Sequence, residues 1–230
     1  MKKIKVLSRN VLLIMILLIP GLVKAQEEKK IQVSAGADLY SSYLWRGTRY
    51  GTGPAIQPFV SLSAGFFSAG AWGSFDFSGY RETDLWFSFD LPAGFSIGMT
   101  DYYFPDLDYL DYSEDTGSHA FEINAGYSKG GLALSAGYII NKAGSAGAAG
   151  GDKYIEAKYS FSSLYILTGA GDGWHVQSAE TGFRHFTICN IGIGLVKELT
   201  VTESFSVPVN GQIVFNPDRN TMYAVVGFTF

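Results

Sequence analysis

Residues 119–140 read HAFEINAGYSKGGLALSAGYII. Phe121, Ile123, Ala125 and Tyr127 alternate with Glu122, Asn124 and Gly126. After Lys129-Gly130-Gly131 the alternation resumes at Leu132, Leu134, Ala136, Tyr138 and Ile140. A side-chain period of two belongs to a β-strand, and a glycine pair between two such runs closes a hairpin. Each strand therefore carries one bulky apolar face and one face of small or polar residues. What touches the apolar face decides the fold.

The same pattern extends along the chain. Ile31, Val33, Ala35, Ala37, Leu39, Ser41, Tyr43 and Trp45 alternate with Gln32, Ser34, Gly36, Asp38, Tyr40, Ser42, Leu44 and Arg46. Leu85, Phe87 and Phe89 alternate with Asp84, Trp86, Ser88 and Asp90. Period and turn residues predict twelve strands, at 31–46, 55–64, 66–78, 83–91, 94–104, 119–128, 131–141, 153–161, 163–170, 182–197, 203–215 and 221–230, with bulges around 187–194. The links alternate too. Long or polar connections (47–54, 79–82, 105–118, 142–152, 171–181, 216–220) follow the odd strands, and tight turns follow most even ones. Short turns at one end and longer loops at the other are the habit of an outer-membrane barrel. The sequence thus predicts an all-β fold, an up-and-down antiparallel transmembrane barrel of about twelve strands, ten or fourteen being the alternatives. A secreted soluble barrel or jelly roll is the competing arrangement, against which the aromatic load of 15% weighs.

The first residues set the compartment. Lys2, Lys3, Lys5 and Arg9 precede a wholly apolar run at 11–19, and Val23-Lys24-Ala25 offers a cleavage site, so 1–25 reads as a secretory signal peptide and 26–230 as the barrel domain. Cleavage leaves 12 basic against 21 acidic residues, a formal charge of −9. So acidic a chain is a poor partner for nucleic acid. The lone Cys189 allows no internal disulfide. No apolar run of 18 residues follows the leader, which excludes helical membrane spans. The chain ends MYAVVGFTF, with Met222, Ala224, Val226, Phe228 and Phe230 on one face and an aromatic last residue of the kind that barrel assembly machinery reads. The expected location is the outer membrane of a Gram-negative cell, as a monomer or trimer.

On this reading Tyr43, Trp45, Phe228 and Phe230 form an aromatic girdle at the headgroup level. Arg46 and Arg49 guard the rim. Facing the lumen are the acids Asp38, Asp76, Asp84, Asp90, Glu122 and Glu156, with Arg46 and Lys158 as the bases. A lining rich in carboxylates favours cations. Asp106, Asp108 and Asp111 in the loop 105–118 resemble calcium ligands, but the glycine and final glutamate of an EF-hand loop are missing, so a solvated external loop is expected. The segment KAGSAGAAGGD, 142–152, reads as a flexible loop. His119, His175 and His185 lie in no hydrolase motif, and only Ser178 with His175 or His185 leaves an enzymatic option. No metal spacing and no cofactor motif is present.

SSYLWRG (41–47), ETDLWFSFDLP (82–92), IGMTDYYFPDL (97–107), the stretch 119–141 and DKYIEAKYSF (152–161) resemble, in order, the TorF-type porin family of outer-membrane proteins. SFSVPVNGQIVFNP, 204–217, is more similar to exported hypothetical proteins of Bacteroidetes-type bacteria. The resemblance implies a barrel and a porin-like role, with no substrate or active site to carry over. The expected function is passive diffusion of small polar solutes or ions, with outer-membrane lipid and the assembly machinery as partners. The alternative is a closed barrel whose external loops bind a partner.

Overall fold

The computed structural model describes residues 31–177, 185–203 and 205–230. Residues 1–25, read above as a signal peptide, and Ser178 lie outside the described residues. Twelve strands close a single barrel: β1 (Gln32–Tyr40), β4 (Ala55–Ala64), β5 (Phe67–Asp76), β6 (Arg81–Asp90), β7 (Phe95–Tyr103), β8 (His119–Lys129), β9 (Leu132–Ile139), β12 (Lys153–Phe161), β13 (Leu164–Gly171), β14 (Thr187–Thr202), β15 (Phe205–Asn216) and β16 (Thr221–Thr229). Every neighbouring pair is antiparallel. The barrel shuts where β1 meets β16, with Asp38 opposite Thr229 and Tyr40 opposite Gly227. Two single-turn 3-10 segments, Pro92–Gly94 and Gly173–His175, are the helical elements among the described residues.

Parity sorts the side chains as the sequence predicts. The bulky apolar positions, among them Val60, Leu85, Ile97, Leu134, Ile166, Ile193 and Phe228, are exposed on the outer wall. The opposite positions face the interior and mix small and polar residues with rings such as Phe59, Trp72, Trp86, Tyr102, Tyr154 and Tyr165. A closed ring pairs every strand on both sides and leaves no long edge. The expected bulge falls at Cys189, where the pairing of β13 with β14 skips from Asn190 to Ile188.

Three expectations are corrected. First, the strand drawn at 31–46 stops at Tyr40, and residues 43–50 leave the barrel sheet as a separate hairpin of β2 (Tyr43–Trp45) and β3 (Thr48–Tyr50). Second, β14 runs to Thr202, past the expected end at 197, while β15 starts at Phe205. Their pairing continues past Leu195 and Val209, where β13 and β16 stop, so the 196–208 hairpin stands beyond its neighbours at the short-turn end. Third, the Gly/Ala segment 142–152 is packed. β10 (Lys142–Ala143) and β11 (Ala148–Ala149) pair, and Ala143, Ala146 and Ala148 are buried against Tyr102, Ala120 and Ile139. Small side chains let this link lie close against the ends of β7, β8 and β9.

An aromatic girdle exists, at the opposite end from Tyr43 and Trp45. Around the short turns Phe66, Phe67 and Phe87 each pack against Phe89, followed by Phe95 against Tyr127 at 4.9 Å and Tyr159 against Phe161 at 4.7 Å. Phe228 and Phe230 are exposed at the same end, where β16 terminates.

Candidate functional site: a hairpin across the barrel interior

The stretch SSYLWRGTRYG folds inward. Trp45 pairs with Thr48 across a two-residue turn whose central residues both have positive φ, 49° at Arg46 and 82° at Gly47. That is the type I′ geometry, whose twist suits a tight hairpin and whose second position strongly favours glycine. Gly47 is fixed by a second constraint, since a β-carbon there would collide with the Cys189 carbonyl on β14.

Tyr43 and Trp45, expected on the lipid face, are therefore inside. Tyr43 is buried and packs on Tyr50 (5.6 Å), Trp72 of β5 (5.4 Å) and Tyr80 (5.9 Å). Trp45 packs on Tyr102 of β7 (5.4 Å), Trp174 (5.6 Å) and His175 (5.4 Å). The outward parity drawn through Ser41 and Tyr43 fails because the chain bends at Ser41-Ser42 and the hairpin has its own faces.

Arg46 at the tip is the centre. Its two terminal nitrogens donate to both oxygens of Glu122 on β8, at 2.6 and 2.7 Å. The guanidinium carbon lies 4.4 Å from the Trp45 ring centre and 4.5 Å from that of Tyr154 on β12. Arg46 is 15% exposed and Glu122 wholly buried. Such a fork-to-fork pair sandwiched between rings is the strong form of the interaction. Glu122 also accepts from the Tyr102 hydroxyl at 3.2 Å and from the Asn124 amide. Its carboxylate lies over Gly137 of β9, where any side chain would displace it. Nη1 of Arg46 also faces Nε2 of His175 at 3.4 Å. A guanidinium only donates, so this ring nitrogen accepts and His175 is neutral. Burial, then the adjacent Arg46 charge, holds its pKa well below the ordinary imidazole value. On the opposite wall, Asn216 of β15 donates to the Gly47 carbonyl at 2.9 Å. In ring order β15 and β8 are five strands apart out of twelve, so the tip touches nearly opposite walls.

The interior thus has two zones. The half near the long links is filled by the hairpin and its aromatic shell. The half near the short turns mixes partly exposed small residues such as Ser61, Ser68, Ser88, Gly98 and Ser160 with the buried Tyr165, whose hydroxyl donates to Asn210 and Gln212 and whose ring carries Lys158.

The remaining site candidates divide between the zones. Asp84 is buried in the hairpin layer, beside Glu82, which the tyrosine hydroxyls of Tyr43 and Tyr80 reach. Asp38 faces inward with one oxygen unpartnered. Glu156 accepts from Tyr154 at 2.6 Å and Asn190 at 3.0 Å, and Lys158 lies over the Tyr165 ring at 4.1 Å. Asp90 and Arg49 are exposed. Asp76 faces no channel: it ties the links at the rim, accepting from the backbone N–H groups of Thr52, Ser78 and Tyr80. Sequence reasoning missed Glu82, Tyr102, Tyr154, Trp174 and Asn216, and it weighed His175 only beside Ser178, not beside Arg46. A readable signal existed for the hairpin alone, since aromatics at 43, 45 and 50 flank an X-Gly turn.

Other expected sites are accounted for locally. Asp106 pairs with Arg81 at 3.0 Å, while Asp108 and Asp111 accept from the backbone N–H two residues on, as turn-forming aspartates do. His119 is buried between Tyr103 and Tyr112, with Nδ1 on Asp101 at 2.9 Å and Nε2 on the Tyr109 carbonyl at 2.8 Å. Among the described residues no group of three or more His, Cys, Asp or Glu side chains is arranged to hold a metal.

A closed twelve-strand antiparallel barrel with an inward hairpin defines the structural class. The chain belongs to the Gcw_chp family, described as a bacterial protein of unknown function, whose model matches residues 24–202. No curated protein and no solved structure matches the chain.

Proposed function

We propose that this protein is an outer-membrane barrel acting as a narrow, porin-like channel for small polar solutes and ions, with the 43–50 hairpin as its constriction. The observation that carries the reading is the pairing of an apolar outer wall with a two-zone interior. Bulky Leu, Ile, Val and Phe side chains exposed around a whole barrel suit hydrocarbon better than water. A ten-residue strand such as β4 is about 34 Å long and, tilted by about 40°, rises about 26 Å, close to the apolar band of bacterial outer-membrane barrels. The aromatic belt at the short-turn end and the TorF-type porin resemblance support the same membrane setting. Inside, the partly exposed serines and glycines near the short turns support passage, and the main barrier is a tethered hairpin. Passage is passive, without a covalent step or cofactor. The net acidity of the interior favours cations.

The test is single-channel recording of the purified protein in planar bilayers. Small discrete steps are expected, with a reversal potential in a KCl gradient on the cation side. Anion preference would overturn the selectivity, and absence of steps together with no swelling of loaded liposomes would overturn the channel. A second reading, a closed barrel with partner-binding loops, is favoured by the tip contacts on nearly opposite walls and predicts that silent outcome.

A further inference from the structure

Among the described residues, the hairpin layer holds more buried carboxyl groups than the one cation seated in it can pair with. Glu82, Asp84 and Glu122 are all buried there. Arg46 is committed to Glu122 through both carboxylate oxygens. Both oxygens of Glu82 accept from tyrosine hydroxyls, those of Tyr43 and Tyr80. Asp84 is different. It is 6% exposed, and its Oδ1 is buried with no hydrogen-bond partner. Asp84 shares the inward face of β6 with Glu82, and the third buried carboxyl, Glu122, is on β8. Its cross-strand neighbours on the same inward face are Trp72 on one side and Tyr102 on the other.

A carboxyl oxygen removed from water and left without a donor is unfavourable unless a cation or a proton meets it. An aromatic residue stands on each neighbouring strand, and aromatic rings attract cations. We propose that Asp84, with Glu82 behind it, is the binding site for one monovalent cation, held between Trp72 and Tyr102 in the constricted zone. This deepens the channel reading by naming the solute that the constriction accepts, a partly dehydrated alkali or small ammonium ion. Two carboxylates one inward position apart also explain how a cation passes the hairpin without displacing Arg46, whose own carboxylate is already occupied.

The four tryptophans, at 45, 72, 86 and 174, lie in or next to this layer, so intrinsic fluorescence reports on it. The full mature chain in detergent is titrated with KCl, replacing N-methylglucamine chloride at constant ionic strength. A saturable change is expected. Asp84→Asn should weaken it at least tenfold, Glu82→Gln severalfold, and Asp90→Asn, at the exposed end of β6, not at all. Heat-modifiable migration in gels checks that each variant is folded, and Glu82→Gln carries the test if Asp84→Asn is not. No potassium response in the wild type means that a proton or water satisfies Asp84 and overturns the proposal. A response unchanged in folded Asp84→Asn and Glu82→Gln overturns it equally. Bilayer conductance is scored separately: conduction without a potassium response defeats this site alone, and a potassium response without conduction defeats the channel alone.

Discussion

Replacing Arg46 by alanine tests the constriction most sharply. The change removes two charge-assisted hydrogen bonds and two cation–π contacts, and it leaves Glu122 as a wholly buried carboxylate with only Tyr102 and Asn124 to meet it. Removing one partner of a buried pair costs about 3–5 kcal/mol. The cost falls on the state in which the hairpin is seated, because a released hairpin exposes Glu122 to water. At 1.4 kcal/mol per tenfold change, the ratio of released to seated hairpin rises about 10² to 10⁴-fold. In planar bilayers Arg46→Ala should therefore show larger steps or much longer open times than the wild type. Arg46→Lys keeps the charge, loses the fork, and should fall between them. Arg49→Ala, removing an exposed side chain beside the same turn, should behave as wild type. Step size and open time unchanged in folded Arg46→Ala would refute the reasoning.

Three further outcomes follow from the same geometry. Gly47→Ala combines a left-handed φ, costing a β-carbon about 1–2 kcal/mol, with the clash against Cys189; because Cys189 is fully buried under the turn, its reaction with a maleimide should accelerate at least about tenfold. His175 is neutral in the seated state and regains an ordinary pKa of about 6.5 once released. The released state therefore binds the extra proton, so the seated state is at full strength above about pH 6.5 and weakens below it; conductance should rise between about pH 7.5 and pH 5, and a flat profile, or a rise that persists in His175→Gln, would count against the assignment. Gly137→Val places a side chain where the Glu122 carboxylate lies and should release the hairpin as Arg46→Ala does, read as a matching increase in step size.

The barrel was legible in the sequence because its information is local. A period of two needs only neighbouring residues, and 121–127 against 132–140 displays both strands and their turn within 20 positions. The alternation of long and short links then fixes which strand ends share a side. The hairpin was hidden by the same periodicity: Ser41 and Ser42 continue the alternation of 31–40, so Tyr43 and Trp45 appear to belong to β1. The turn signal at Arg46-Gly47 was present but was read as the end of a strand. The partners of Arg46 were beyond reach, because Glu122 is 76 residues away and His175 is 129 away. They converge only because β8 and the link after β13 are brought to one level of the closed ring. Asp76 illustrates the converse: its parity suits a lumen residue, yet the nearby backbone N–H groups of the links claim it.

The outer wall bears the central claim, that lipid rather than water covers the exposed apolar side chains from Val60 to Phe228. Cell fractionation with an alkaline carbonate wash, followed by extraction, measures it directly. The account predicts that the protein remains with outer-membrane fragments after the wash and is extracted as a folded, heat-modifiable species only by detergent. A folded, monodisperse protein recovered in detergent-free buffer would contradict it.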